Sequence, residues 1–380
     1  MKADSAAKVC RAFVKCLFFL NLDMPNPHIC RLSLLILTVL LLCQVSLFSQ
    51  IEVEHVRQVD TIDTSLDLFG ETKPMHITLT LDLKKYQREK YKGKYMPVHF
   101  QYRLNDTLYL EKDLQLKARG DFRRSHCSLA PFWLDVRNVD LKSDDLQDIK
   151  RVKIVTHCKG SQAYEEYVLK EYLCYKIYNI ISPVSFRVRL VRMTYVDTGR
   201  KNKVTEGWAF MIEPEEMLAQ RMNAVVVKRD DLSTRLLRPW EIDILALFQY
   251  MIGNVDYSVF GRHNVKFLGM PGYGAAGYTP VPYDFDYTGL VDTYYAIPSD
   301  NLSIKSVTER YYLGPCREDK AYQAAIDHIN LCREEILQMV KDFEYLDQKY
   351  KKNVIAYLEQ YFGLAAHYES LHYSLQRTCI

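Results

Sequence analysis

The sequence predicts an α+β protein with a strand-rich N-terminal part and a helical C-terminal part, arranged as two lobes. Apolar residues alternate with polar ones through most of the stretch from Glu52 to Val155, which is the period of half-buried strands. Helical spacing dominates the C-terminal region, and strands first with helices last points away from a doubly wound sheet.

The chain opens on a segment of a different kind. An uncharged run from Leu32 to Ile51 follows the basic residues His28 and Arg31 and ends in Ser46, Ser49 and Gln50. This basic, apolar, polar order is that of a secretory signal, so residues 1–50 are expected to be either a cleaved signal peptide or an uncleaved N-terminal membrane anchor. A second apolar patch, Phe13 to Leu20, precedes Met24, and a start at Met24 gives more typical proportions. Leu41 and Leu42 are too bulky ahead of Cys43 for a lipid-anchored signal. The mature chain is therefore expected outside the cytoplasm, secreted, periplasmic or associated with the envelope, with membrane contact only through the N-terminal segment.

The strands are expected at Ile77 to Leu81, Val98 to Tyr102 and Leu108 to Leu116, the last two joined by the turn Arg103 to Thr107, then at Phe132 to Val136 and Val152 to Val155. A helix spans Gln162 to Ile181, with Tyr164, Tyr167, Val168, Cys174, Tyr175 and Tyr178 on one face, and Pro183 stops it. Strands Phe186 to Val196 and Gly207 to Ile212 follow, joined by the polar hairpin Asp197 to Thr205, and complete an N-terminal lobe over 51–213. The C-terminal lobe, 214–380, begins its core with a helix from Glu241 to Ile252. A polar loop, Gly253 to Asn264, leads to strands Val265 to Leu268 and Tyr278 to Tyr283, then to helices over Lys320 to Phe343 and Asp347 to Tyr361.

With 50 basic and 47 acidic residues, no net field favours nucleic acid. Six cysteines lie beyond the N-terminal segment without C-x-x-C spacing, which argues against a zinc site. Cys127 and Cys158 each close a polar segment next to an expected strand and are the first candidates for a disulfide, with buried thiols as the alternative. The 28 tyrosines exceed ordinary usage; most are expected in packing, with glycan contact as a further use.

Chemistry concentrates where apolar elements end. Asp256, Asn264, Asp284 and Asp286 flank the hairpin Val265 to Val281, which brings its two ends together and places these oxygens around one magnesium cluster. That is the parts list of phosphoryl transfer. His263 is expected to be a hydrogen-bonding loop histidine. Glu171 lies among apolar helix neighbours and needs a cation, supplied by Lys153 or Lys117, unless it reaches water at the stripe's edge. Arg119, Arg123 and Arg124 form a basic loop, either ordinary surface or a phosphate contact. Gly269 to Gly277 is a flexible hairpin connection, since it opens no helix.

The succession Arg119-Gly120, the helix bearing Leu169-Lys170-Glu171-Tyr172-Leu173, Asn254-x-Asp256 with His263-Asn264, and Pro282-Tyr283-Asp284-Phe285-Asp286 resembles the spore-coat CotH family of atypical protein-kinase-like proteins. The resemblance runs from about Leu114 to Val291 and is nearest to the exported, uncharacterised Bacteroidetes members. It implies a kinase-like fold without a glycine-rich phosphate loop, which moves the γ-phosphate of ATP to a protein hydroxyl with Mg2+. By the same resemblance Asp256 is the catalytic aspartate, Asn264 and Asp284 hold metal, and Asp286 holds a second metal or the loop. Glu171, with Lys153 or Lys117, and Arg119 would face the nucleotide. Asp256 and Asn264 stand eight positions apart, against five in ordinary kinases, so the loop must bulge, with Gly261 expected to supply the bulge. The alternative is a non-catalytic envelope or secreted scaffold that keeps the fold.

Overall fold

The computed structural model describes residues 65–142, 149–228, 234–272 and 277–380. The N-terminal targeting segment and both candidate start methionines lie outside the described residues. Among those described, no helix is long and apolar enough to cross a membrane.

Seven strands form a closed barrel: β1 (Met75–Leu81), β2 (Met96–Arg103), β3 (Tyr109–Ala118), β4 (Phe132–Asp135), β5 (Arg151–Thr156), β6 (Val188–Asp197) and β7 (Lys203–Ile212). Neighbouring strands are antiparallel except β1 and β6, which pair in parallel from Met75 opposite Val191 to Leu81 opposite Asp197 and so close the ring. This corrects the expectation of a kinase-type strand lobe: mixed strands and helices are present in the expected order, but these seven strands close into a barrel instead of an open sheet. Closure satisfies the edge groups that an open sheet would expose.

The alternation read from the sequence is the inside and outside of this barrel. Ile77, Leu79, Val98, Phe100, Leu116 and Leu134 point into one buried core. On β5, β6 and β7 the outer residues Val155, Leu190, Phe210 and Ile212 are buried too, in a second core shared with the helices. Helix α3 (Gln162–Ile181) covers that outer face; α1 (Leu83–Glu89) and α2 (Phe122–His126) are short helices between strands that the sequence reading missed. The 198–202 connection between β6 and β7 is shorter than expected, with Lys201 and Asn202 in left-handed conformation.

Beyond the barrel lie α4 (Glu215–Arg221), β8 (Val225–Val226), α5 (Pro239–Ile252), β9 (Val265–Gly269) and β10 (Tyr278–Pro282). Helix α5 is buried all round from Ile242 to Ile252, as suits a helix at the centre of a core. Pro239 opens it, and Gly253 closes it at φ 66°. The expected long helix over 320–343 is divided at Cys332 into α6 (Asp319–Leu331) and α7 (Arg333–Asp342); α8 (Gln348–Ala365) and α9 (Tyr368–Gln376) follow.

Cys127 and Cys158 form the expected disulfide. A second, Cys316 to Cys379, ties the C-terminal segment to the loop ahead of α6. Cys174 and Cys332 are free thiols.

Candidate functional site

The site begins with a reversal of direction. Strands β9 and β10 pair from Val265 opposite Pro282, and the backbone N–H of Tyr283 donates to Asn264 O at 3.0 Å, so the loop before the hairpin lies beside the segment after it. The sequence placed these two ends together by the same argument.

In the first loop, Asn254 is buried and its side chain donates to Gln249 Oε1 at 2.9 Å while accepting from the Asp256 N–H at 2.9 Å. Asp256 Oδ1 accepts from His263 Nε2 at 3.0 Å, and Oδ2 accepts from the Asn264 amide at 3.0 Å. Burial raises the Asp256 carboxyl above its ordinary range, His263 opposes the rise, and the charges of Asp286 and Asp284 add to it. The extra loop residues are accommodated by Arg262 at φ 52° and Asn264 at φ 53°, not by Gly261, whose φ is not positive. Asparagine tolerates this region better than most residues. With its amide nitrogen committed to Asp256, Asn264 retains one atom, Oδ1, able to bind a metal.

In the second segment the side chains alternate. Phe285 is fully buried, with its ring 4.6 Å from that of Tyr175 and 5.5 Å from that of Phe248. Asp284 and Asp286, on either side of this anchor, turn toward Glu171. Asp284 adopts φ 66°, and its N–H donates to the Tyr175 hydroxyl at 2.8 Å. Glu171 and Tyr175 are one turn apart on α3, so a single helix face holds both the backbone and the carboxylate side of the site. The ligand atoms of Glu171, Asp284 and Asp286 all lie within 4.8 Å of one another.

The cation among them is Arg123, on α2. Its Nη2 donates to Glu171 Oε2 at 2.6 Å and its Nε to Asp286 Oδ2 at 2.7 Å, and Nη2 lies 3.9 Å from Asp284 Oδ1. The expected lysine partner is therefore replaced by an arginine from the basic loop. Only a guanidinium offers several donors in a fixed plane, which is what bridging separate carboxylates demands. Burial raises the proton affinity of Glu171, Arg123 opposes the rise, and Asp286 and Asp284 add to it. The Tyr295 hydroxyl donates to Asp286 Oδ2 at 2.8 Å. Tyr295 carried no sequence signal; Arg123 was visible only as one of three arginines in a loop.

Lys153 lies elsewhere in the same neighbourhood. It stands on the outer face of β5, with Nζ 4.7 Å from the ring centroid of Tyr283 and 5.5 Å from that of Trp133. Loss of hydration pulls its ammonium down from 10.5 to about 7, with Arg119 and Lys266 adding to the fall and Asp284 opposing it. Arg119 also stacks on Trp133, at 5.6 Å. Lys117 is not among these groups: its Nζ lies 5.8 Å from the Tyr95 ring on the outer face of β3.

These residues suit a hard cation. All the ligands are carboxylate oxygens, three acids face one guanidinium, and the buried Oε1 of Glu171 has no hydrogen-bond partner among the described residues. The molecule is a closed seven-strand barrel packed through α3 on a helical core, with a carboxylate cluster formed by Glu171 of α3 and the segment after β10. No family model and no curated protein matches the chain. Among solved structures it is similar to the Helicobacter pylori proinflammatory kinase CtkA, at 12% identity and a TM-score of 0.38, over 67% of this chain and 94% of that one. A TM-score of that size does not define a common fold, so the site stands on its own geometry.

Proposed function

We propose that this protein is a phosphotransferase that moves the γ-phosphate of ATP to a hydroxyl of a protein substrate, and that it works outside the cytoplasm. The observation that carries the reading is the meeting, across one hairpin, of a hydrogen-bonded aspartate loop with a carboxylate cluster. Phosphoryl transfer needs one carboxylate free to take a proton and others to hold metal. Asp256 has the first character, since His263 and Asn264 fix its orientation and burial raises its proton affinity.

In this reading Asp256 accepts the proton of the acceptor hydroxyl as that oxygen bonds to phosphorus and the bond from phosphorus to ADP breaks. Asp284 and Asp286 would hold Mg2+, which neutralises charge on the phosphates when bound. Lys153 and Arg119, on the barrel side of Tyr283 and Trp133, would face the nucleotide. Two disulfides among the described residues suit an oxidising compartment and support the extracytoplasmic placement.

One observation favours a second reading, in which the fold is a binding scaffold without turnover. Arg123 already bonds two of the three carboxylates, so the cluster can serve as an internal ion-pair network. The test is Mg2+-dependent self-phosphorylation with labelled ATP, beside Asp256→Asn and Asp284→Asn. Transfer by the unaltered chain, reduced at least ~100-fold in both variants, supports the enzyme. A folded chain that neither binds nor turns over ATP leaves the scaffold.

A further inference from the structure

We propose that Glu171 is a direct ligand of a divalent, oxygen-preferring cation shared with Asp284 and Asp286, and that Arg123 is the internal cation competing for the same oxygens. The inference deepens the reading above, because it shares the assignment of this cluster as the functional centre. It departs from the role that the resemblance implies for Glu171, an ion pair with a strand lysine.

Geometry and solvation both point this way. Glu171 is 1% exposed, and while Oε2 accepts from Arg123, Oε1 is buried with no hydrogen-bond partner among the described residues. A buried carboxylate oxygen left without a donor is costly, and a cation removes that cost. One guanidinium bonds Glu171 and Asp286 and lies 3.9 Å from the half-buried Asp284, which leaves more carboxylate oxygens than donors, and a divalent ion matches that excess. A cavity of about 10 Å³, close to the room one water or small ion requires, lies against Arg123, Tyr295 and two of the three carboxylates, Glu171 and Asp286; Asp284 stands outside its lining.

The surroundings hold the ligands in place as a metal site requires. Glu171 sits on α3 between the buried Val168 and Cys174, the Asp284 backbone is pinned by Tyr175, and Asp286 is bonded by Tyr295 while its carbonyl accepts from Thr293 at 3.0 Å. Such outer bonds orient ligands. With no nitrogen or sulfur ligand in the set, the chemistry selects Mg2+, Mn2+ or Ca2+ over zinc or copper.

The test is a Mn2+ titration of the full chain without nucleotide, read by electron paramagnetic resonance and calorimetry. We expect one site, weakened at least ~10-fold by Glu171→Gln and tightened by Arg123→Gln, since changes in a ligand or in the groups that hold it alter affinity on that scale. Far-UV circular dichroism confirms folding, and Glu171→Asp, which keeps the charge but shortens its reach, is the second variant with the same expected loss. Unchanged Mn2+ affinity in Glu171→Gln, or no binding by the unaltered chain, overturns the proposal. Binding through Glu171 without ATP turnover supports this inference while sinking the phosphotransfer reading; phosphorylation with Glu171→Gln binding Mn2+ normally does the reverse.

Discussion

Lys153 shows how a single residue carries both a stability signature and a functional one. Its folded-state value, about 7, lies below the ordinary 10.5 because the ammonium loses water between two rings and faces Arg119 and Lys266. Across the window from about 7 to 10.5 the unfolded chain binds more protons than the folded one, so this residue makes stability rise with pH. Urea denaturation at the two ends of that window should show the rise, and Lys153→Met should flatten it. An unaltered slope in the variant would place Lys153 in ordinary solvent. The same residue scale separates what a reader of the sequence could see from what was hidden. Asp256, Asn264, Asp284 and Asp286 stood out because carboxylates and an amide end apolar segments on both sides of one hairpin. Arg123 did not, because direction decides its role: Arg124, its neighbour in the chain, pairs with the exposed Asp121 instead.

At the scale of elements, the site depends on where α5 stops. Gly253 occupies left-handed backbone, and a Cβ there would lie 2.1 Å from the Tyr357 hydroxyl and 3.1 Å from Val307 O. Gly253→Ala should therefore cost at least about 1–3 kcal/mol in chemical denaturation and displace the Asn254 to Asp256 loop, lowering any phosphotransfer with it. Stability equal to the parent would show that the helix end has room to move. Helix α2 depends on a different device. Its carboxyl end is Cys127, whose N–H donates to Arg123 O at 2.8 Å and whose sulfur is bonded to Cys158 beyond β5. The disulfide was legible as a pairing of two polar segments beside strands. That it anchors the arginine of the site was not, since the five-residue helix has no periodicity to detect.

For the whole molecule, the decisive feature is that β5, β6 and β7 are buried on both faces where they run together, over residues 154–156, 188–191 and 209–212. Their inner residues belong to the barrel core and their outer residues to the helical core, with α3 between. Barrel and helices should therefore unfold together: melts followed by far-UV and near-UV circular dichroism should coincide in one transition. Two separated transitions would mean that the cores are energetically independent.

Composition and periodicity determined the order of strands and helices, the hairpin that joins the two site segments, and the carboxylates at its ends. Those features are local, written in spacings of two or of three to four residues and in the breaks between them. Tertiary structure alone decided that β1 meets β6 to close the barrel, that Arg123 rather than a lysine answers Glu171, and that the Glu171 carboxylate joins Asp284 and Asp286. Each of those contacts joins residues far apart in the chain, and their partners are selected by burial and charge once the chain has packed.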